Sequence, residues 1–201
     1  MTREDELDVE QVQDQSLPDT ESGSEAEPQE EVVEAAEPGQ DEVEGSKSKS
    51  SAWSEAVFQL PTLRSTSSGP YVKLLQAALN AFGGGNIKID GKMNPSTKGA
   101  LKRNLDEGGF DSSNLLCTPE VWRYLLGGNP PQYATDPSSE DKSLYFLQAL
   151  LSIHGYPVGP SGYWNDQTER FIKELGRDHG VKSAEKSAKL TVNLWVRLLS
   201  L

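Results

Sequence analysis

The sequence is poor in residues that form covalent or metal cross-links. Its 201 residues include one cysteine, Cys117, and two histidines, His154 and His179. A single cysteine excludes an internal disulfide framework, and these three residues do not supply the ligand set of a structural zinc site. We therefore expect no metal and no cofactor, and a fold that depends on its apolar core.

The common catalytic motifs are also missing. The chain contains no phosphate-binding P-loop, no dinucleotide fingerprint and no G-x-S-x-G nucleophile motif. Cys117 has no histidine in its own part of the chain that could act as its base. His154 and His179 are both expected at helix ends, where an imidazole has a structural role. The sequence predicts a non-catalytic protein with no catalytic residues.

Long apolar runs are absent too. No stretch approaches the roughly 20 apolar residues that a membrane-spanning helix needs. The first residues, MTREDELDVEQ, are acidic where a signal peptide would be basic and then apolar. These features predict no membrane span. They predict a cytoplasmic location by default, or association with a virion or cell wall if the protein is released by lysis or by a non-classical route.

The net charge of −12 comes from one end of the chain. Residues 1–50 hold 17 Asp/Glu, 3 Lys/Arg and no aromatic residue, whereas residues 51–201 have a net charge of +2. A segment with this composition cannot bury enough apolar surface to fold. We interpret residues 1–50 as a disordered acidic tail, which acts either as a solubilising arm or as an interaction arm for a basic partner. A nucleic-acid partner is not expected, because the bases after residue 50 are interleaved with acids.

Residues 51–68 form a linker with a short amphipathic segment. Trp53, Val57 and Leu60 are spaced as one face of a helix that Pro61 would end. One or two helical turns are not stable alone. The segment is therefore expected either to pack back on the following domain or to dock in the groove of a partner.

The rest of the chain contains an internal repeat with an offset near 72 residues. Fourteen identical pairs include Leu75-Gln76-Ala77 with Leu147-Gln148-Ala149, and the ending T-x-x-x-W-x-x-L-L occurs at Thr118 and at Thr191. The repeat predicts two modules, residues 69–127 and 139–201, joined by a linker at 128–138.

Each module is predicted to form three short helices. The first helices run from about Pro70 to Phe82 and from about Glu140 to His154, each with a single apolar face. Asn94 and Asn165 are expected to cap the second helices, and Thr118 and a residue near Ser187–Thr191 the third. The predicted fold is all-α, with two tandem small three-helix bundles preceded by the disordered acidic tail.

These motifs resemble the type-1 peptidoglycan-binding domain, a three-helix bundle appended to bacterial and phage cell-wall hydrolases. The matching residues in the first module are Leu75, Gln76, Leu79, Gly83, Asp90, Gly91, Met93, Thr97, Ala100, Gly109, Trp122 and Leu125. In the second module they are Leu147, Gln148, Leu151, Gly155, Gly162, Trp164, Thr168, Phe171, Gly180, Trp195 and Leu198. The family's D-G occurs once, since Ser161 precedes Gly162. A second D-G turn, usual before the third helix, is absent from both modules.

The resemblance implies a protein that attaches to bacterial cell-wall peptidoglycan through two modules acting by avidity. The alternative is an intracellular or virion scaffold for a protein partner that keeps the fold without binding glycan. We expect Trp122 and Trp195 to be core residues, and Thr97 and Thr168 to satisfy backbone donors. The candidate ligand-binding residues are Asp90, Lys92, Tyr163 and Trp164.

Overall fold

The regular structure between residues 52 and 200 is helical. A computed structural model describes residues 52–200, so the predicted acidic tail lies outside the described residues. The helices are α1 (Pro70–Ala81), α2 (Pro95–Glu107), α3 (Pro119–Leu126), α4 (Lys142–Ile153), α5 (Asp166–Asp178), α6 (Lys182–Ser187) and α7 (Val192–Leu199). In this part of the chain β pairing is limited to isolated antiparallel bridges, which confirms the all-α class there. No helix between residues 52 and 200 is long and apolar enough to cross a membrane.

Helices α2, α3, α5 and α7 begin directly after predicted capping residues. Asn94 and Asn165 accept hydrogen bonds from the backbone N–H groups of Thr97 and Thr168, at 2.9 and 2.8 Å. Thr118 caps α3 and Thr191 caps α7 in the same way. These side chains satisfy backbone donors that have no partner within the helix.

Helices α1 and α4 pack against each other and form the centre of the core. The sequence predicted one apolar face for each, but α1 also buries Leu74 and Ala78, and α4 also buries Phe146 and Leu150. The additional buried faces arise because each helix packs against the other as well as against its own half of the chain. The described residues belong to one compact unit, Glu42–Leu201.

The ends of α1 and α4 show how the two helices are arranged. Lys142, the first residue of α4, donates a hydrogen bond to the carbonyl of Gly85, just beyond the end of α1, at 3.3 Å. Phe82 at the C-cap of α1 makes an edge-to-face contact with Phe146 of α4, with ring centroids 5.4 Å apart. The C-terminal end of α1 therefore lies beside the N-terminal half of α4.

Helix α6 was not predicted. The helix expected to begin near Ser187–Thr191 is α7, and α6 precedes it and packs against α5. Gly176 of α5 permits this approach, because a Cβ atom there would lie 2.6 Å from the backbone nitrogen of Glu185. A short helix of this kind depends on the contact with α5, and the apolar pattern does not reveal it.

The turn before the last helix of each repeat is left-handed although it contains no glycine at that position. Leu115 and Ala188 both adopt a left-handed conformation, with φ of 48° and 52°, although neither is glycine. Each lies three residues before the threonine that caps the next helix. The same turn geometry thus recurs at equivalent positions without the residue that normally favours it.

The segment before α1 packs back on the folded part, but not as the predicted helix face. Helical conformation covers only residues 52–55, and Val57 is 73% exposed, so the predicted face of Trp53, Val57 and Leu60 is wrong. Beyond Val57 the chain instead alternates, burying Phe58 and Leu60. We call residues 52–63 the N-terminal strap.

Backbone hydrogen bonds explain why the strap is not helical. The N–H of Gln59 donates to the carbonyl of Leu199 in α7 at 2.8 Å. Leu63 and Cys117 exchange two backbone hydrogen bonds, at 3.0 and 2.9 Å. Partners distant in sequence thus replace the local bonds of a helix, and the strap contacts elements from both repeats.

Arg123 of α3 holds the first part of the strap. Its guanidinium donates to the carbonyls of Trp53 and Ser54, at 2.7 and 2.6 Å, and lies over the ring of Phe58, 5.0 Å from the centroid. The indole N–H of Trp53 donates to the carbonyl of Gly127 at 3.1 Å. Because its planar guanidinium binds several carbonyls at once, Arg123 fixes the position of this segment on α3.

We expect Trp53→Ala to lower the free energy of unfolding by about 3–5 kcal/mol, as large aromatic truncations in a core do. Val57→Ala is the matched control in the same segment and should change stability by less than about 0.5 kcal/mol. Urea denaturation of the full chain measures both. Equal stability of the two variants would show that the strap contributes little to the fold.

Candidate binding site

A fully buried glutamine lies on the first helix of each repeat. The Oε1 atom of Gln76 accepts hydrogen bonds from the backbone N–H groups of Asp90 and Gly91, at 2.9 and 2.8 Å. Its Nε2 donates to the hydroxyl of Thr97 at 2.9 Å and to the carbonyl of Lys92 at 3.0 Å. The amide is therefore satisfied on both sides, as a buried polar group must be.

Gln148 forms the same network in the second repeat. Its Oε1 accepts from the N–H groups of Ser161 and Gly162, at 2.7 and 2.9 Å. Its Nε2 donates to the hydroxyl of Thr168 at 3.0 Å and to the carbonyl of Tyr163 at 2.9 Å. The sequence included both glutamines in the motif but did not reveal this role.

The glutamines hold two short turns at the surface. We call residues 90–94 the first turn and residues 161–165 the second turn. Gly91 and Gly162 both have φ of 75°, as expected from the sequence. A backbone N–H of the chain before each first helix donates to the glycine carbonyl, from Gly69 at 2.9 Å and from Asp141 at 2.8 Å.

Asp90 is engaged in the structure of the first turn. Its Oδ1 accepts from Gln76 Nε2 and from the N–H of Lys92, both at 2.9 Å, and its Oδ2 accepts from Asn94 at 3.2 Å. The hydrogen bond from Gln76, followed by that from the Lys92 backbone, lowers the pKa of Asp90 below its ordinary value. These bonds occupy a carboxylate that was expected to face a ligand.

Ser161 takes the place of Asp90 in the second turn. Its hydroxyl accepts from Gln148 Nε2 and from the N–H of Tyr163, both at 3.3 Å. Serine therefore preserves two of the contacts of the aspartate without its charge. The departure from the family's D-G leaves the turn geometry intact.

The other three candidate residues differ in accessibility. Lys92 is exposed and Tyr163 is 42% exposed. Trp164 is half-buried and stacks on Tyr133, with ring centroids 5.9 Å apart and an angle of 11° between the rings. One face of Trp164 is thus covered by residue 133, which lies in the predicted interdomain linker.

In each repeat, one residue of the first helix packs against the glycine of the turn. The stem of Lys73 packs beside Gly91, and the ring of Tyr145 packs so closely on Gly162 that a Cβ there would lie 2.2 Å from it. Both residues occur three positions before the buried glutamine, one helical turn away. The sequence signal that could have indicated both residues is their spacing of one helical turn from the motif glutamine.

The remaining residues weighed in the sequence have structural surroundings. Trp122 and Trp195 are buried, which confirms their expected place in the core. The expectation that Thr97 and Thr168 satisfy backbone donors is wrong, because each hydroxyl accepts from the buried glutamine side chain and donates to the capping asparagine. Burial raises the pKa of the Cys117 thiol far above its ordinary value. Residues 52–200 contain no group of three or more His, Cys, Asp or Glu side chains placed to hold a metal ion.

The two turns lie at different ends of the α1–α4 pair. The first turn is bonded to the start of α1 and the second to the start of α4. The start of α4 lies beside the end of α1, a helix of 12 residues that spans about 18 Å. The turns therefore form two separate surfaces and do not make up one pocket.

Comparison of the chain with protein-family models, curated proteins and solved structures gave no match. The resemblance to peptidoglycan-binding domains therefore stays a prediction from the motif residues.

We expect Gln148→Leu to destabilise the protein by about 2–4 kcal/mol, because it leaves buried N–H and hydroxyl groups without partners. Gln167→Leu, an exposed position in the same half, is the matched control. Chemical denaturation measures the difference. If the two variants are equally stable, the buried amide does not hold the turn.

Acid titration tests the role of Asp90. The pKa of Asp90 is lower in the folded chain than its unfolded value of about 3.9. Asp90 therefore contributes stability that is fully present above the unfolded pKa. This contribution is lost as the pH falls through the lowered pKa. The free energy of unfolding of the wild type should therefore fall more steeply below about pH 4 than that of Asp90→Asn. Asp166→Asn is the control. Parallel curves for wild type and Asp90→Asn would contradict the assignment.

Proposed function

We propose that this protein is a non-catalytic binding protein, built from two tandem helical modules, that attaches to bacterial cell-wall peptidoglycan. The observation that supports this most strongly is the recurrence of one buried-glutamine network. It presents a glycine turn twice, at equivalent positions. A solvent-accessible side chain follows the glycine in each turn, Lys92 in the first and Tyr163 in the second.

The separation of the turns suits a repetitive polymer. Two weak contacts on one rigid body raise the effective concentration of the second contact once the first is made. The packing of α1 on α4 holds the turns at a fixed spacing without a flexible tether. Binding through two points requires a ligand long enough to reach both, and a cell-wall strand has that property.

A protein-interaction scaffold is the second candidate function. The contacts of Asp90 and the stacking of Trp164 favour it, because both side chains bind within the fold. In a scaffold the turns would be retained for stability, and the partner would bind elsewhere on the helical surface.

The test is retention of the full chain on purified, protein-free cell-wall sacculi. We expect the wild type to be retained, Lys92→Ala and Tyr163→Ala each to be retained several-fold less, and the double variant less than either, because avidity needs both turns. Lys186→Ala and Tyr124→Ala are the controls, the latter because Tyr124 is 41% exposed and lies outside the turns. No retention of the wild type would contradict the proposal and favour the scaffold.

A further inference from the structure

The two turns have the same backbone but opposite charge. Residues 86–98 contain Lys88, Lys92 and Lys98 with Asp90, a net charge of +2. The equivalent residues 157–169 contain Asp166 and Glu169 with no base, a net charge of −2. Two turns with the same backbone conformation but opposite net charge nearby favour ligand groups of different chemistry.

Accessible ammonium groups lie on the first turn and beside it on α1. Lys73 and Lys92 are exposed, and Lys73 lies against Gly91. In the described part of the chain neither lysine forms an ion pair with a carboxylate. The nearby carboxylate of Asp90 is occupied by its three hydrogen-bond donors. This turn is suited to a carboxylate group of a ligand.

Aromatic rings lie on the second turn, and carboxylates lie beside it. Tyr145 packs over Gly162, and burial, followed by the nearby Glu140 carboxylate, raises the pKa of its hydroxyl. Glu140 in turn forms an antiparallel bridge with Tyr163. The negative face of an aromatic ring attracts the C–H groups of a sugar ring, and a carboxylate accepts hydrogen bonds from sugar hydroxyls.

We propose that the two turns divide the ligand between them. The first turn binds carboxylate groups of the peptide stems, and the second binds sugar rings of the glycan strand. This inference depends on the proposed function, since peptidoglycan carries both chemistries on one polymer. Glu169 is paired with Lys173, but residues 161–165 themselves contain no lysine or arginine that could bind a carboxylate, so the turns do not exchange roles.

The experiment compares two polymers, intact sacculi and glycan strands from which the peptide stems have been removed enzymatically. Full-length wild type, Lys92→Gln and Tyr163→Ala are tested on each, with Lys186→Gln and Tyr163→Phe as controls. On intact sacculi, Tyr163→Ala should bind roughly five- to tenfold more weakly. Lys92→Gln should bind about two- to fivefold more weakly, as for a surface charge pair.

The stripped glycan separates the two roles. There, Lys92→Gln should bind as the wild type does, because its ligand group is gone, whereas Tyr163→Ala should still be impaired. Tyr163→Phe keeps the ring and should bind within about twofold of the wild type. Added salt should weaken wild-type binding to intact sacculi more than to stripped glycan.

The outcomes distinguish this inference from the proposed function. If the wild type does not bind intact sacculi, the proposed function fails. If it binds them but Lys92→Gln is equally impaired on both polymers, or Tyr163→Ala is impaired on neither, the division between the turns is overturned.

Discussion

A buried amide must satisfy all its polar groups, and this requirement shapes both candidate binding surfaces. Gln76 and Gln148 are fully buried on the first helices, and in each repeat a turn brings two successive N–H groups, a carbonyl and a hydroxyl to the glutamine. The turn conformation, the positive φ of its glycine and the position of the following helix all follow from this demand. The side chain after each glycine lies at the surface, because the glycine N–H and the next residue's own carbonyl both bond to the buried glutamine.

The packing of α1 on α4 makes the two repeats one body. The strap adds to this, since it bonds Cys117 next to α3 and Leu199 in α7. The two turns are consequently presented at a fixed separation, and removal of either repeat would expose the core of the other. A binding function for this protein is therefore a property of the whole described unit.

Local signals in the sequence predicted a large part of this fold. Apart from α6, the helices and their asparagine and threonine caps were predictable because they depend on residues within a few positions of each other. The strap was not, since its extended shape depends on hydrogen bonds to Leu199 and Cys117. For the site, the exposure of Lys92 and Tyr163 agrees with their expected place on the turns. The engagement of Asp90 by Gln76 and of Trp164 by Tyr133 could not be predicted, because both depend on tertiary contacts.

We propose the two glutamine-held turns as the binding surfaces of this protein. The most direct measurement is an NMR titration of the isotope-labelled protein with soluble peptidoglycan fragments that carry both sugars and peptide stems. We expect backbone shift changes in two separate clusters, around Gly91 and around Gly162, with the Gln76 and Gln148 side-chain amides retaining their native shifts. Shift changes confined to another part of the surface, or none at saturating fragment, would contradict it.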